Sequence, residues 1–428
     1  MKKHYIKDIA RLENEECELY GWVHEIRETK PITFIILRDS TGKTQITIKK
    51  ENYDQNFIEK IKRIHHEDVI KVKGKVIKSQ IAKLGFEVIP SEIEILAKAK
   101  HPLPIDVSGK VEAELPKILD ARYLSLRRDE YFYVFKIQTI LVKNIREYLY
   151  KHDFVEIFTP KIIKFATEGG AELFKVDYFG QEAYLAQSPQ IYKEICAGVF
   201  EKVFEIAQYY RAEKSRTNYH LAEFISFDVE CAFYSYNDIM NLLEDLLKYS
   251  LSKTYEEAYD YFEKLKCKPL DLNYDFQRIT YDEAIELLKS HGYKWGDDIT
   301  QSALNILSEK IGRRFYFIID WPTHLKPFYT KEDEKNPKIT KSFDLNLANL
   351  EIASGGERIN ESEKLIEKLK RNNLNVENFD IFIKALDVSS PPHAGFGLGI
   401  SRLLMMITEK KNIREAVLFP RDVDRLIP

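Results

Sequence analysis

The stretch YYRAEKSRTNYHLAEFISFDVE, Tyr209 to Glu230, packs Arg211, Lys214, Arg216 and His220 into ten residues and then alternates as a strand does. Side chains alternate along a strand. Phe224, Ser226, Asp228 and Glu230 therefore share one face, and Ile225, Phe227 and Val229 share the other. One face is apolar; the opposite one carries a ring, a hydroxyl and two acids. Solvent exposure is the plain reading of such a face. The cations before it favour another, because guanidinium groups suit phosphate oxygens and a ring suits a base, as a nucleoside triphosphate requires.

A second candidate lies near the C-terminus. In GFGLGISR, Gly395 to Arg402, glycine alternates with Phe396 and Leu398. The spacing does not fit the dinucleotide fingerprint G-x-G-x-x-G. It reads as an extended strand that something approaches closely, or as a plain packing strand, with Arg402 at the mouth of a helix.

These residues need elements to position them. Residues 1 to 104 read as short strands with turn punctuation, including a hairpin in FIILRDSTGKTQITI, and suggest a small Greek-key barrel of the oligonucleotide-binding kind. A Pro- and Gly-containing segment, residues 105 to 130, reads as a linker, and residues 131 to 428 form the larger domain. Val134, Ile137, Leu141, Ile145 and Leu149 fall at helical spacing. Strands are expected at FVEIFTPKII, VFEIAQYYRAE, RFYFIIDWP and SFDLNLANLEIASG, with helices at YNDIMNLLEDLLKYSL and TYDEAIELLKSHG. Strands without regular helical alternation predict a mostly antiparallel sheet with helices around it, an α+β fold.

Composition bounds the function class. The chain has 428 residues, 44% apolar and 31% charged, with no apolar run long enough to cross a membrane, so the cytoplasm is the default expectation. Cys17, Cys196, Cys231 and Cys267 are scattered, which supports neither a zinc site nor a disulfide framework. Residues 1 to 104 hold 20 Lys and Arg against 16 Asp and Glu, and the remainder 45 against 52. A mildly basic first domain is compatible with nucleic-acid binding.

The order of these signals resembles a class II aminoacyl-tRNA synthetase of the subgroup handling aspartate, asparagine and lysine. FVEIFTP, ending at Pro160, is similar to the first class motif, YRAE with HLAEF to the second and GFGLGISR to the third; within the subgroup the archaeal-type aspartate branch is most similar. The resemblance implies an N-terminal OB-fold anticodon-binding barrel and a six-stranded antiparallel sheet flanked by helices. It also implies ATP and Mg2+, an aminoacyl-adenylate, a homodimer formed through the Pro160 region, and tRNA as partner.

Carried over motif by motif, the resemblance makes Arg211 and Arg402 catalytic. The ATP site would comprise Arg211, Ala212, Glu213, Tyr219, His220, Leu221, Phe224, Glu351, Gly399, Ile400, Ser401 and Arg402. Asp344, Glu351 and Ser354 would hold the metal. Glu168, Gln190, Ile191, Tyr192, Lys193, Arg211, Ser354 and Arg358 would bind the amino acid, with Glu168 taking its ammonium. Many relatives have arginine where Tyr219 stands, a contact that Lys214 and Arg216 could replace. Lys193 and Arg358 fit a side-chain carboxylate, and the asparagine branch has an apolar residue in place of Lys193. Aspartate is therefore the expected substrate, although RAEKSRT is worded as in asparagine enzymes; an asparagine enzyme and a non-catalytic RNA-binding paralogue are the alternatives. In the barrel, His24, Phe34, Gln45 and Lys83 match positions that meet the anticodon. His24 matches members that charge both tRNA(Asp) and tRNA(Asn), and Lys83 those restricted to tRNA(Asp), towards which the balance leans.

Overall fold

A computed structural model describes residues 4–82, 85–165, 172–312 and 314–428, so Lys83 and Glu168 lie outside the described residues. The chain divides into two compact units, residues 1–128 and 129–428.

The first unit is a closed barrel of β1 (Glu16–Glu28), β2 (Ile32–Asp39), β3 (Gly42–Lys49), β4 (Val69–Lys78) and β5 (Phe86–Ala97), in the order β1-β2-β3-β5-β4. Alternation decides the two surfaces: Leu19, Val23, Ile35, Leu37, Ile46, Ile48, Val72 and Val88 fill the interior, while Phe34 and Gln45 fall between the interior positions of β2 and β3. His24 sits where the β1–β2 register slips, between Val23 and Glu25. Such a bulge re-aims its side chain. Residues 105–128 group with this unit and carry the short helices Leu115–Asp120 and Arg122–Ser125.

The second unit is built on a sheet of β6 (Val155–Glu156), β10 (Lys202–Tyr210), β11 (Glu223–Ala232), β12 (Gln277–Thr280), β13 (Phe315–Ile319), β14 (Ser342–Leu347), β15 (Leu350–Glu357) and β16 (His393–Gly399). Its order is β12-β13-β14-β15-β16-β11-β10-β6. The six strands from β13 to β10 are antiparallel, as the resemblance implies, and β12 and β6 extend the sheet by parallel pairing at its two edges. A small separate sheet joins β7 (Ile162–Ile163), β8 (Lys175–Tyr178) and β9 (Gln181–Leu185). FVEIFTPKII is therefore two short strands around a bend at Pro160, not one long strand.

Helices Asp129–Lys151 and Tyr236–Glu257 cover the sheet. The first buries Val134, Ile137, Leu141, Ile145 and Leu149, the stripe read from the sequence. Ser235 caps the second, accepting from Asp238 N while Asp238 accepts from Ser235 N. Such a box satisfies helix N–H groups that would otherwise lack partners.

The glycines of β16 have a specific cause. In register, Gly395 lies beside Glu230 and Gly397 beside Asp228 on β11. A Cβ at Gly395 would overlap the Glu230 carboxylate and the Val229 carbonyl, and one at Gly397 would press on Asp228 Oδ1 at 3.1 Å. Two of the three glycines thus make room for acids of the neighbouring strand rather than for a nucleotide. Gly399 instead meets the Arg402 side chain, 3.7 Å from its Cβ position, at ordinary contact distance. Gly395→Ala is expected to destabilise the protein by about 3 kcal/mol, at the upper end for overpacking; an unchanged melting temperature would contradict this packing.

Candidate active site

Strands β11, β14, β15 and β16, the loop 211–222 and the first turn of helix Gln190–Phe200 enclose a cavity of about 450 Å3. Its size is that of an ordinary small-molecule site. Gln190, Arg211, Glu213, Tyr219, His220, Leu221, Phe224, Asp344, Glu351, Ser354, Arg358, Gly399, Ser401 and Arg402 all line it. Residues separated by up to two hundred positions are brought together because β11, β16 and β15 are neighbours, with Asp228, Gly397 and Ser354 in one row across them.

Five expected residues do not line the cavity. Helix periodicity turns Ile191 and Tyr192 into apolar clusters, while Ile400 points into the main core. Ala212 donates its backbone N–H to Glu172 O instead. Lys193 is buried behind the wall: its Nζ lies 2.9 Å from Asp228 Oδ1, 3.0 Å from Phe396 O and 3.5 Å from Glu230 Oε2. Neither Lys214 nor Arg216 lines the cavity, and Arg216 is held in a fork by Asp424 at 3.0 Å. Substitution of Tyr219's missing arginine by these cations is thus not seen.

One end of the cavity is a charge cluster. Arg358 donates to Glu230 through Nε (3.0 Å) and Nη2 (3.3 Å), and its guanidinium stacks 5.5 Å from the Tyr329 ring. Burial works against the charge of Glu230, yet Arg358 and Lys193 hold its carboxyl below the usual range. Lys193 and Arg358 were expected as cations that only a substrate carboxylate would compensate. In the folded chain Asp228 and Glu230 already pair with them.

The other end carries the phosphate-type groups. The Arg211 guanidinium lies 5.4 Å from the Phe224 ring. Arg402 is tethered to Tyr219 O (3.3 Å) and Glu351 O (3.0 Å). Desolvation, aided by Arg402 and Arg211, lowers the His220 pKa below the ordinary imidazole value. Its Nδ1 meets Thr217 Oγ1 at 2.6 Å.

Asp344 and Ser354 pair across β14 and β15, with Glu351 on the same strand as Ser354. Burial and the Asp344 charge raise the Glu351 pKa. Two carboxylates and a hydroxyl are oxygen donors of the right kind for a hard cation that takes its remaining ligands from phosphate and water. Among the described residues no three His, Cys, Asp or Glu side chains gather to hold a metal by themselves.

Sequence reasoning missed Lys326, whose Nζ donates to both Asp344 oxygens at 2.7 Å over the Trp321 ring. It also missed Gln187, a fully buried, cavity-lining amide whose Oε1 and Nε2 have no hydrogen-bond partner among the described residues. Only the fold reveals what the two side chains face.

Two sequence families match: tRNA synthetases class II (D, K and N) over residues 115–423 and OB-fold nucleic acid binding domain over residues 18–96. The chain belongs to the class II tRNA synthetases. This synthetase is 47% identical to the aspartate--tRNA(Asp/Asn) ligase of Sulfurisphaera tokodaii and 46% identical to the aspartate--tRNA(Asp) ligase of Picrophilus torridus, each over 100% of both chains. Its fold matches the asparaginyl-tRNA synthetase of Pyrococcus horikoshii solved with asparaginyl-adenylate, with a TM-score of 0.96, 32% identity and 100% of both chains covered.

In the synthetase's barrel, Gln45 Nε2 donates to Glu87 (2.8 Å) and Thr47 (3.1 Å), next to half-buried Phe34. His24 is largely buried, and its Nδ1 meets Arg38 Nη1 at 3.1 Å. Since arginine only donates, Nδ1 accepts and the proton sits on Nε2.

Lys326→Met should leave Asp344 without its counter-charge beside Glu351 and destabilise the protein by about 3 to 5 kcal/mol. Millimolar Mg2+ should restore part of the melting temperature in the variant more than in the wild type; equal Mg2+ responses would argue against a metal at this pair.

Proposed function

We propose that this synthetase activates L-aspartate with ATP and transfers the aspartyl group to the 3′ end of tRNA(Asp). The observation that carries the choice of amino acid is the charge count of the buried cluster. Asp228 and Glu230 against Arg358 alone would leave a net negative pocket that repels a carboxylate and welcomes an amide N–H. Lys193, 2.9 Å from Asp228, cancels the second acid and adds ammonium donors. The names of the relatives at 46–47% identity agree with this reading. The likeness to the asparaginyl enzyme supports a competing one, at lower identity.

In the proposed reaction an α-carboxylate oxygen of aspartate attacks the α-phosphorus of ATP and pyrophosphate leaves. A ribose hydroxyl of tRNA then attacks the carbonyl and AMP leaves. Arg211 would neutralise charge at the α-phosphate, Phe224 and Arg402 would hold the adenine, and His220 would donate towards the γ-phosphate. Catalysis then rests on positioning and fixed charge rather than a protein nucleophile. Asp344, Glu351 and Ser354 would hold Mg2+, which supplies charge neutralisation at the phosphates when bound.

We assign anticodon reading to His24, Phe34 and Gln45, and to Lys83, which lies outside the described residues. Exposed Phe158, two positions before Pro160, supports a homodimer through that region. No helix among the described residues is long and apolar enough to cross a membrane, and the cytoplasm is the compartment this function requires.

Pyrophosphate exchange should proceed with aspartate and not with asparagine; the reverse result would establish the asparagine reading. Lys193→Leu should lower kcat/KM for aspartate about 100-fold or more, the scale of one broken buried pair, with KM for ATP little changed. Charging purified tRNA(Asp) and tRNA(Asn) separates strict from relaxed specificity in the same assay.

A further inference from the structure

Behind the amino-acid end of the cavity lies a pair of titratable groups that no role described above uses. Glu194 and His393 are both about 2% exposed. Gln190 Nε2 donates to Glu194 Oε1 at 2.7 Å, Glu194 Oε2 meets His393 Nε2 at 3.0 Å, and His393 Nδ1 meets Pro391 O at 2.8 Å. A backbone carbonyl can only accept, so Nδ1 carries a proton. The other ring nitrogen then faces a carboxylate oxygen. That contact is attractive only if one proton lies between them, on Nε2 or on Oε2.

We propose that Glu194 and His393 share one buried proton and act as a positioning pair for Gln190. Either placement of the proton leaves Glu194 Oε1 as an acceptor, which compels Gln190 to turn its NH2 towards Glu194. Its carbonyl oxygen then faces the cavity, where it suits the ammonium of an amino acid. Without the shared proton, the Nε2 lone pair would oppose the Oε2 carboxylate oxygen and push Glu194 off the position from which its Oε1 holds the Gln190 amide. The pair also joins the two reading groups, because Arg358 N donates to His393 O at 3.0 Å.

The groups around His393 are consistent with a retained proton. Glu194 faces it from helix Gln190–Phe200, Glu230 from β11 and Arg358 from just beyond the end of β15, with Lys193 beyond Glu230. Burial alone would lower the imidazole pKa, but the hydrogen bond and charge of Glu194, with Glu230, raise it above the ordinary value. The proton is thus fully retained below the ordinary imidazole pKa and is lost only as pH rises through the raised one.

The inference rests on the amino-acid site proposed above, and pyrophosphate exchange tests the two separately. Glu194→Gln keeps the connectivity: its Oε1 accepts from Gln190 while its Nε2 donates to a neutral His393. Protonating His393 in that variant sets two donors against each other. The ratio of aspartate KM in Glu194→Gln to that in wild type should therefore rise as pH falls from 8 to 5.5. Glu194→Ala should raise aspartate KM at least about tenfold, the cost of one unsatisfied buried group, with ATP KM within about twofold. A pH-independent ratio for Glu194→Gln overturns the proposal, even should the alanine variant fail to fold. Absence of aspartate-dependent exchange in the wild type would instead overturn the assignment of the substrate.

Discussion

The site depends on one constraint: four charges, Lys193, Arg358, Asp228 and Glu230, must be buried together in the middle of a sheet. Removing one member of such a group leaves an uncompensated charge in low dielectric, which costs about 3 to 5 kcal/mol. The surroundings follow from satisfying all four at once. β16 must lack a side chain at Gly395 so that the Glu230 carboxylate can reach Arg358 across it. Lys193 must come from the helix behind the sheet, and Phe396 must lend its carbonyl to complete the ammonium's hydrogen bonds. A strand that looks like a nucleotide loop in sequence is first of all a gap for a carboxylate.

The same strands carry both halves of the proposed chemistry. β11 holds Phe224 as well as Asp228 and Glu230; β15 holds Glu351 and Ser354 and leads into Arg358; β16 runs into the helix that presents Arg402. Sites on strands are positioned more tightly than sites on loops. A nucleotide on Phe224 and an amino acid at Arg358 would meet over the Ser354–Gly397–Asp228 row, with little freedom in their relative placement. The loop 211–222, between β10 and β11, supplies Arg211 and His220.

Much of this was legible in the sequence wherever a period carries the information. The helix stripe from Val134 to Leu149, the alternation of Phe224 to Glu230 and the hairpin of β2 and β3 are local patterns, and each folds as read. What a polar face meets is not local. Asp228 and Glu230 read equally well as solvated acids until Lys193 and Arg358, 35 and 128 positions away, are seen against them. Lys326 and Gln187 carry no pattern at all, since a single lysine or glutamine has no period. Ile191, Tyr192 and Ile400 show the converse: motif membership includes them, while helical geometry turns their side chains into core clusters, which no local pattern marks. In the barrel, alternation assigns Phe34 and Gln45 to the outer surface, whereas the bulge that buries His24 against Arg38 depends on pairing with β2 and leaves no trace in β1 alone.

Both ends of the cavity share a further property. At one end Asp228 and Glu230 are compensated by Lys193 and Arg358; at the other Asp344 is compensated by Lys326. The folded chain thus holds its acids neutralised by its own cations, and a charged ligand enters by exchanging partners rather than by filling an uncompensated field. Exchange costs the old contacts before it gains the new ones, so a ligand is favoured only where it replaces what it displaces. A ligand that breaks an internal pair without replacing it leaves a buried charge behind. Selectivity at such a site follows from what the protein gives up to admit a substrate, which is why the identity of residue 193 weighs more than the shape of the cavity.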